Sequence, residues 1–297
     1  MTINKLNMTT NKIVCMIIIL IIIFSIIIVM MVKTKTKKER FTKAKDKSKT
    51  KNKREKLEKI IGVCNNILVG KEHMCNCNNK DGTPGNDFKS CKSRNKKKLC
   101  NNYHVCKKFF KMFLSGSEPK YEPEKWAHPL IKNSHNCYAY FLDDKIPLVK
   151  ERCRKLKNNC NTLKPQPGSI SFLKGMRKSR NNKYTCDRMI QAVLDDNKPI
   201  EMSKFDVKCK KGYYKGYMVV DRDHTYHFYR QDDNLRWSHK QGTLSVENVD
   251  AMDKPIYVPH LSDKNYNKEK NDDGINYNDS CAYMCIPSNK YFNTRAI

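Results

Sequence analysis

Acidic residues are scarce in this 297-residue chain: 30 Asp and Glu stand against 59 Lys and Arg, a formal charge of +29. Much of the excess lies in residues 33–58, where apolar residues are nearly absent too. Such a stretch cannot build a core and reads as a disordered basic linker, a tether. Between Thr42 and Glu58 no aromatic residue interleaves the charges. Bases have no stacking platform there, so no specific nucleic-acid partner is expected, and a solvated spacer is favoured over a lipid or nucleic-acid patch. Small residues are missing after the apolar run Met16–Val32, where only Lys33-Thr34-Lys35 follows. That excludes the cleavage site a signal peptide needs.

The run itself, extended by Ile13 and Val14, gives about 20 apolar residues, enough for one helix across a bilayer. Residues 1–12 form a short tail, and residues 13–32 are read as a transmembrane helix whose partner is the lipid bilayer. A single-pass membrane protein is therefore expected. Its orientation is contested by two signals. Lys5 and Lys12 precede the helix while Lys33, Lys35, Lys37, Lys38 and Arg40 follow it, so the positive-inside rule puts the C-terminal body in the cytosol. The 14 cysteines favour an oxidising compartment. The side of the membrane stays open.

Residues 59–125 form a cysteine-rich module with Cys64, Cys75, Cys77, Cys91, Cys100 and Cys106. Cys75-Asn76-Cys77 is not the two-residue knuckle that zinc ribbons repeat, so disulfides are favoured and no metal or cofactor is expected. Phe109, Phe110, Phe113 and Leu114 fall at helical spacing, the mark of a core face.

Residues 126–260 read as an α+β domain. Ser134-His135-Asn136 offers capping side chains before the apolar turn that starts at Cys137, which puts that thiol in the first turn of a short helix. Ser169–Leu173 alternates as a strand. A helix capped at Thr185 presents Met189, Ile190, Val193 and Leu194 on one face, and Gly216–Val220 is a further strand. The stretch Asp221–Gly242 holds His224, His227 and His239. Alternation sends Tyr226, Phe228 and Arg230 to one side and His227, Tyr229 and Gln231 to the other. The polar turn Asp232-Asp233-Asn234 then allows a hairpin in which His239, twelve positions after His227, meets it. Residues 261–297 begin as a polar linker containing the glycosylation sequence Asn278-Asp279-Ser280 and end in a segment with Cys281 and Cys285. A disulfide from that segment to Cys153, Cys160, Cys186 or Cys209 is expected.

Asn136-Cys137-Tyr138-Ala139, Gln166-Pro167-Gly168, Tyr226-His227-Phe228-Tyr229-Arg230-Gln231, Trp237-Ser238-His239-Lys240-Gln241-Gly242 and Cys281-Ala282-Tyr283-Met284-Cys285 together resemble a family of largely uncharacterised proteins of bacteria and large DNA viruses. The resemblance covers about Trp126 to Pro287. More distantly, the order resembles NlpC-type papain-like cysteine peptidases. It implies a papain-like core: a short Cys-bearing helix packed on an antiparallel sheet. It further implies Cys137 as nucleophile, His227 as its base and His239 as the group orienting His227, acting on a peptide or other amide. Two features depart from that pattern, a helical insertion at Cys186–Asn197 and an arginine within the strand after His227. The alternative register makes Gly216–Val220 the strand after the histidine, with Lys215 in the histidine's place. The Asn, Lys and Ile bias fits an A+T-rich large DNA virus, hence a host or virion membrane. A non-catalytic, membrane-anchored structural or binding protein is the competing expectation. It predicts an inaccessible or oxidised Cys137.

Overall fold

The computed structural model describes residues 50–72, 75, 100–144, 147–156, 160, 163–169, 184–267 and 274–288. The transmembrane helix expected at 13–32 and most of the strand expected at Ser169–Leu173 lie outside these residues. Among the described residues, no helix is long and apolar enough to cross a membrane. The chain divides into two units, one ending at Ile61 and one beginning at Gly62.

In the first unit, residues 50–61 are helical and largely exposed. The end of the stretch read as a tether is therefore helical. Its Lys51 and Glu55 stand one turn apart, with Nζ 4.0 Å from the carboxylate. Pairs at this spacing support a helix that buries little.

The second unit is α+β. Its six strands are Glu201–Ser203 (β1), Tyr213–Asp221 (β2), Thr225–Gln231 (β3), Trp237–Lys240 (β4), Val246–Glu247 (β5) and Asp279–Pro287 (β6). They form one sheet in the order β1-β6-β2-β3-β4-β5, antiparallel throughout. Short polar turns join β2 to β3 and β3 to β4. β6 returns from the far end of the chain to lie beside β2. The sheet thus crosses the boundary drawn at residue 260, because β2 is finished only by a strand from the cysteine-containing tail.

One face of the sheet carries the helices Cys137–Phe141 and Cys186–Asp196. Their apolar residues Tyr138, Phe141, Met189 and Val193 pack with Met218, Val220, Phe228, Met284 and Ile286 in one core. Gly216 makes this approach possible. A Cβ there would stand 2.1 Å from Phe141 Cε2 and 2.5 Å from Ile286 Cδ1.

Among the described residues, five disulfides tie the unit together: Cys64–Cys106, Cys75–Cys100, Cys153–Cys160, Cys186–Cys281 and Cys209–Cys285. Their Cα atoms are 5.0–5.7 Å apart, the span a disulfide bridges without moving the backbone. The first two belong to the cysteine-rich module, whose Cys77 and Cys91 are outside the described residues. The last two join the tail cysteines to Cys186 and Cys209, two of the four partners expected from sequence.

That module is continuous with the sheet. Phe110 and Phe113, on and just after the helix Asn101–Lys111, meet Phe205 edge-on. Arg236 pairs with Glu72, and Asp233 N–H donates to Pro119 O at 3.0 Å.

Candidate functional site

The helix Cys137–Phe141 begins as the sequence predicts. Asn136 has extended backbone dihedrals, and its Oδ1 accepts from Ala139 N–H at 3.2 Å. Its Nδ2 donates to Pro165 O at 2.7 Å, which ties this cap to the Pro165-Gln166-Pro167-Gly168 turn. Cys137 stands on the first turn and is the one free cysteine among the described residues.

Its surroundings are apolar. Cys137 is 6% exposed and belongs to the core formed with Tyr226 and Phe228. Burial pushes the thiol up to about 12, overriding the backbone N–H of Phe228 and the charge of Lys240, both of which favour thiolate. At neutral pH the sulfur is a thiol.

Lys240, on β4, is fully buried, and burial brings its amine down to about 7, against the pull of Cys137. Its Nζ donates to Lys132 O at 2.9 Å and Gly242 O at 2.6 Å.

His227 and His239 do meet, as the hairpin predicted. β3 pairs with β4 so that Tyr229 faces His239, and His227 Nε2 lies 2.9 Å from His239 Nδ1. His239 Nε2 lies 2.9 Å from Val249 O, which can only accept. Nε2 therefore bears hydrogen, and His239 Nδ1 accepts from His227 Nε2–H. Tyr277 stacks on the His227 ring at 5.2 Å, and Tyr229 meets it edge-on at 5.0 Å. Both imidazoles are driven toward the neutral form. Burial holds His227 well below its usual range, helped by His239, and brings His239 down to about 4.

The expected trio of Cys137, His227 and His239 is not assembled. Side chains of a strand alternate between faces, and Phe228 of β3 lies against Cys137 and its helix. His227, one residue before, projects from the opposite face with Tyr229, His239 and Tyr217. The sheet lies between thiol and imidazoles. The alternative register gives the same result. Lys215 is adjacent to Gly216, which meets Phe141, and so points away from the helix; its Nζ donates to Phe205 O at 2.5 Å.

What the helix does face is a charged network that the sequence reading passed over. Arg230, buried on β3, lies with its guanidinium carbon 4.1 Å from the centre of the Tyr140 ring. Its nitrogens reach Asp143 Oδ1 at 3.0 Å, Asp232 Oδ1 at 3.3 Å and Tyr140 Oη at 2.9 Å. Tyr140 Oη is also 2.6 Å from Ser238 Oγ. Asp143 adopts φ 49, an uncommon conformation just beyond the helix that aims its carboxylate at Arg230. Burial raises Asp232 to about 6 despite Arg230. The alternation that separated His227 from Phe228 also assigned Arg230 to the Phe228 face, so the signal was present.

Three further histidines are held by local contacts. His135 Nδ1 lies 2.8 Å from Ser134 Oγ and its ring meets Trp126 edge-on. His224 pairs with Asp221 at 3.0 Å, and His260 lies against Phe205 and Tyr283. Among the described residues no group of three or more His, Cys, Asp or Glu side chains could hold a metal ion.

The chain is 28% identical over 146 residues to insoluble matrix shell protein 1 of Ruditapes philippinarum; the alignment covers 49% of this chain and 81% of that protein. No family model and no solved structure matches the chain.

Proposed function

We propose that this protein is a non-catalytic structural or binding scaffold, cross-linked by disulfides and anchored to a membrane through residues 13–32. The observation that carries this reading is the facing of Cys137. A general base must come within about 3 Å of the proton it removes, and the two imidazoles that could serve project from the other side of the sheet. The rest of the chemistry agrees. The thiol is buried and its pKa is pushed up to about 12. His227 spends its Nε2 hydrogen on His239.

A papain-like core of NlpC type remains part of the proposal. It is supported by a short Cys-bearing helix on an antiparallel sheet and by the chain order of helix before histidine strands. On this reading the chain keeps the scaffold and has replaced the reactive pair with packing. Similarity to a protein named for an insoluble shell matrix also favours a structural role.

The experiment is alkylation of Cys137 across pH in the folded protein, mapped by mass spectrometry and compared with His227→Ala. A scaffold gives labelling slower than a free peptide thiol below pH 8, with no change in the variant. Rapid labelling below pH 7 that is lost in His227→Ala would restore the Cys–His hydrolase.

A further inference from the structure

Asn278-Asp279-Ser280 has no part in the network under the helix or in the histidine pair. Asn278 is exposed, one residue before β6 begins, and its N–H donates to Asn276 O at 2.8 Å. Among the described residues, no hydrogen bond or ion pair engages its side chain. Its neighbours fix the direction. Tyr277 is buried against His227, and Asp279 pairs with Arg222 and opposes Val220 at the start of the β6 ladder. Asn278 is thereby turned outward between two anchored residues, where a bulky adduct meets solvent and leaves the ladder intact.

The cross-links speak to the compartment. Two of the five, Cys186–Cys281 and Cys209–Cys285, secure β6 itself, three and seven residues beyond Asn278. Structural disulfides form and persist in oxidising compartments such as the secretory lumen and are rare in a reducing cytosol. The lysines after residue 32 argue for the cytosol, but the positive-inside rule is a bias in insertion, whereas an unoxidised cytosol leaves five such pairs unmade.

We propose that the body of this protein resides on the lumenal side of the membrane and carries an N-linked glycan on Asn278. In the transfer, the carboxamide nitrogen of Asn278 bonds to the anomeric carbon of an oligosaccharide held on a polyisoprenyl diphosphate. The sugar–phosphate bond breaks, the diphosphate leaves, and the amide proton passes to the host transferase. One passage through the lumen then accounts for both the sugar and the cross-links.

The test is expression of the full chain in a eukaryotic cell, with endoglycosidase digestion on gels and mass-spectrometric mapping of Asn278 and the cysteine pairs. The expected result is a mobility shift that digestion removes. It is lost in Asn278→Gln and in Ser280→Ala and kept in Ser280→Thr, which retains the acceptor hydroxyl. Cys186–Cys281 and Cys209–Cys285 are formed in the same material.

Three results would overturn the proposal. Disulfides formed with Asn278 unmodified would mean oxidation outside the secretory lumen. Asn278 unmodified with reduced cysteines would mean a cytosolic body. Sugar at Asn7-Met8-Thr9, on the other flank of the apolar run, with Asn278 bare would mean the opposite orientation.

Discussion

The two faces of the sheet bury polar groups by opposite means. Under the helix Cys137–Phe141, Arg230 keeps its charge because Asp143, Asp232 and the Tyr140 ring surround it. On the other face, His227 and His239 are buried by losing theirs, each imidazole supplying what the other needs. Charge is expensive in a protein interior, so a face either completes an ion pair or keeps its titratable groups neutral. Cys137 sits on the charged face but in its apolar part, beside Phe228 and Tyr226, where Lys240 of the sheet favours thiolate.

Breaking the charged face should cost most. Arg230→Met leaves Asp143 and Asp232 without their cation, and loss of one partner of a buried pair costs about 3–5 kcal/mol. Urea denaturation should show a matching fall in stability, whereas Arg236→Met, at a partly exposed pair, should cost far less. An unchanged midpoint in Arg230→Met would mean that the network contributes nothing.

Breaking the cross-links that hold β6 should cost about as much. Cys186 and Cys281 are 95 residues apart, and closing a loop of that size stabilises by about 4–5 kcal/mol on chain entropy. Cys186→Ala/Cys281→Ala should lower the thermal midpoint accordingly. Equal midpoints would deny the bond a role in holding the sheet.

A smaller effect is expected at the contact between helix and sheet. Gly216→Ala drives a methyl into the buried Phe141 and Ile286, at about 1–3 kcal/mol. Calorimetry that found the variant as stable as the parent would mean the helix is not seated where Phe141 requires.

Acid should distinguish the faces by sign. His239 falls from its ordinary 6.5 to about 4 on folding, and His227 is lowered too, so the unfolded chain binds more protons in that window. Their contribution to stability is full above about 6.5 and is lost as pH falls toward 4. Asp232 is raised from 3.8 to about 6, so there the folded chain takes up the proton first and acid is stabilising. Denaturation across pH should therefore show a net acid loss that flattens in His239→Gln and steepens in Asp232→Asn. The reverse pattern would exchange the roles given to the two faces.

The smallest change should come from Cys137→Ala, about 1 kcal/mol from lost packing. Binding or assembly by the protein should survive it. Loss of a measured function with the fold intact would return Cys137 to the chemistry.

Much of this is legible in the chain. Asn136 announces the helix start, and alternation over Thr225–Gln231 announces a strand with two unlike faces. The polar turn at Asp232-Asp233-Asn234 announces the hairpin that joins the imidazoles, and each of these rests on neighbours a few residues apart. The return of Asp279–Pro287 to the centre of the sheet was not legible, because strand pairing at such separation depends on partners that no local pattern names. The choice of face was hidden for a similar reason. Period-two alternation divides His227 from Phe228 without saying which side a distant helix will cover. Only the packed structure decides that, through the gap left at Gly216 for Phe141 and the fit of Tyr140 over Arg230. The sequence by itself determined the helix start at Cys137, the strand Thr225–Gln231 and the pairing of His227 with His239; tertiary packing decided that Cys137 would lie across the sheet from them.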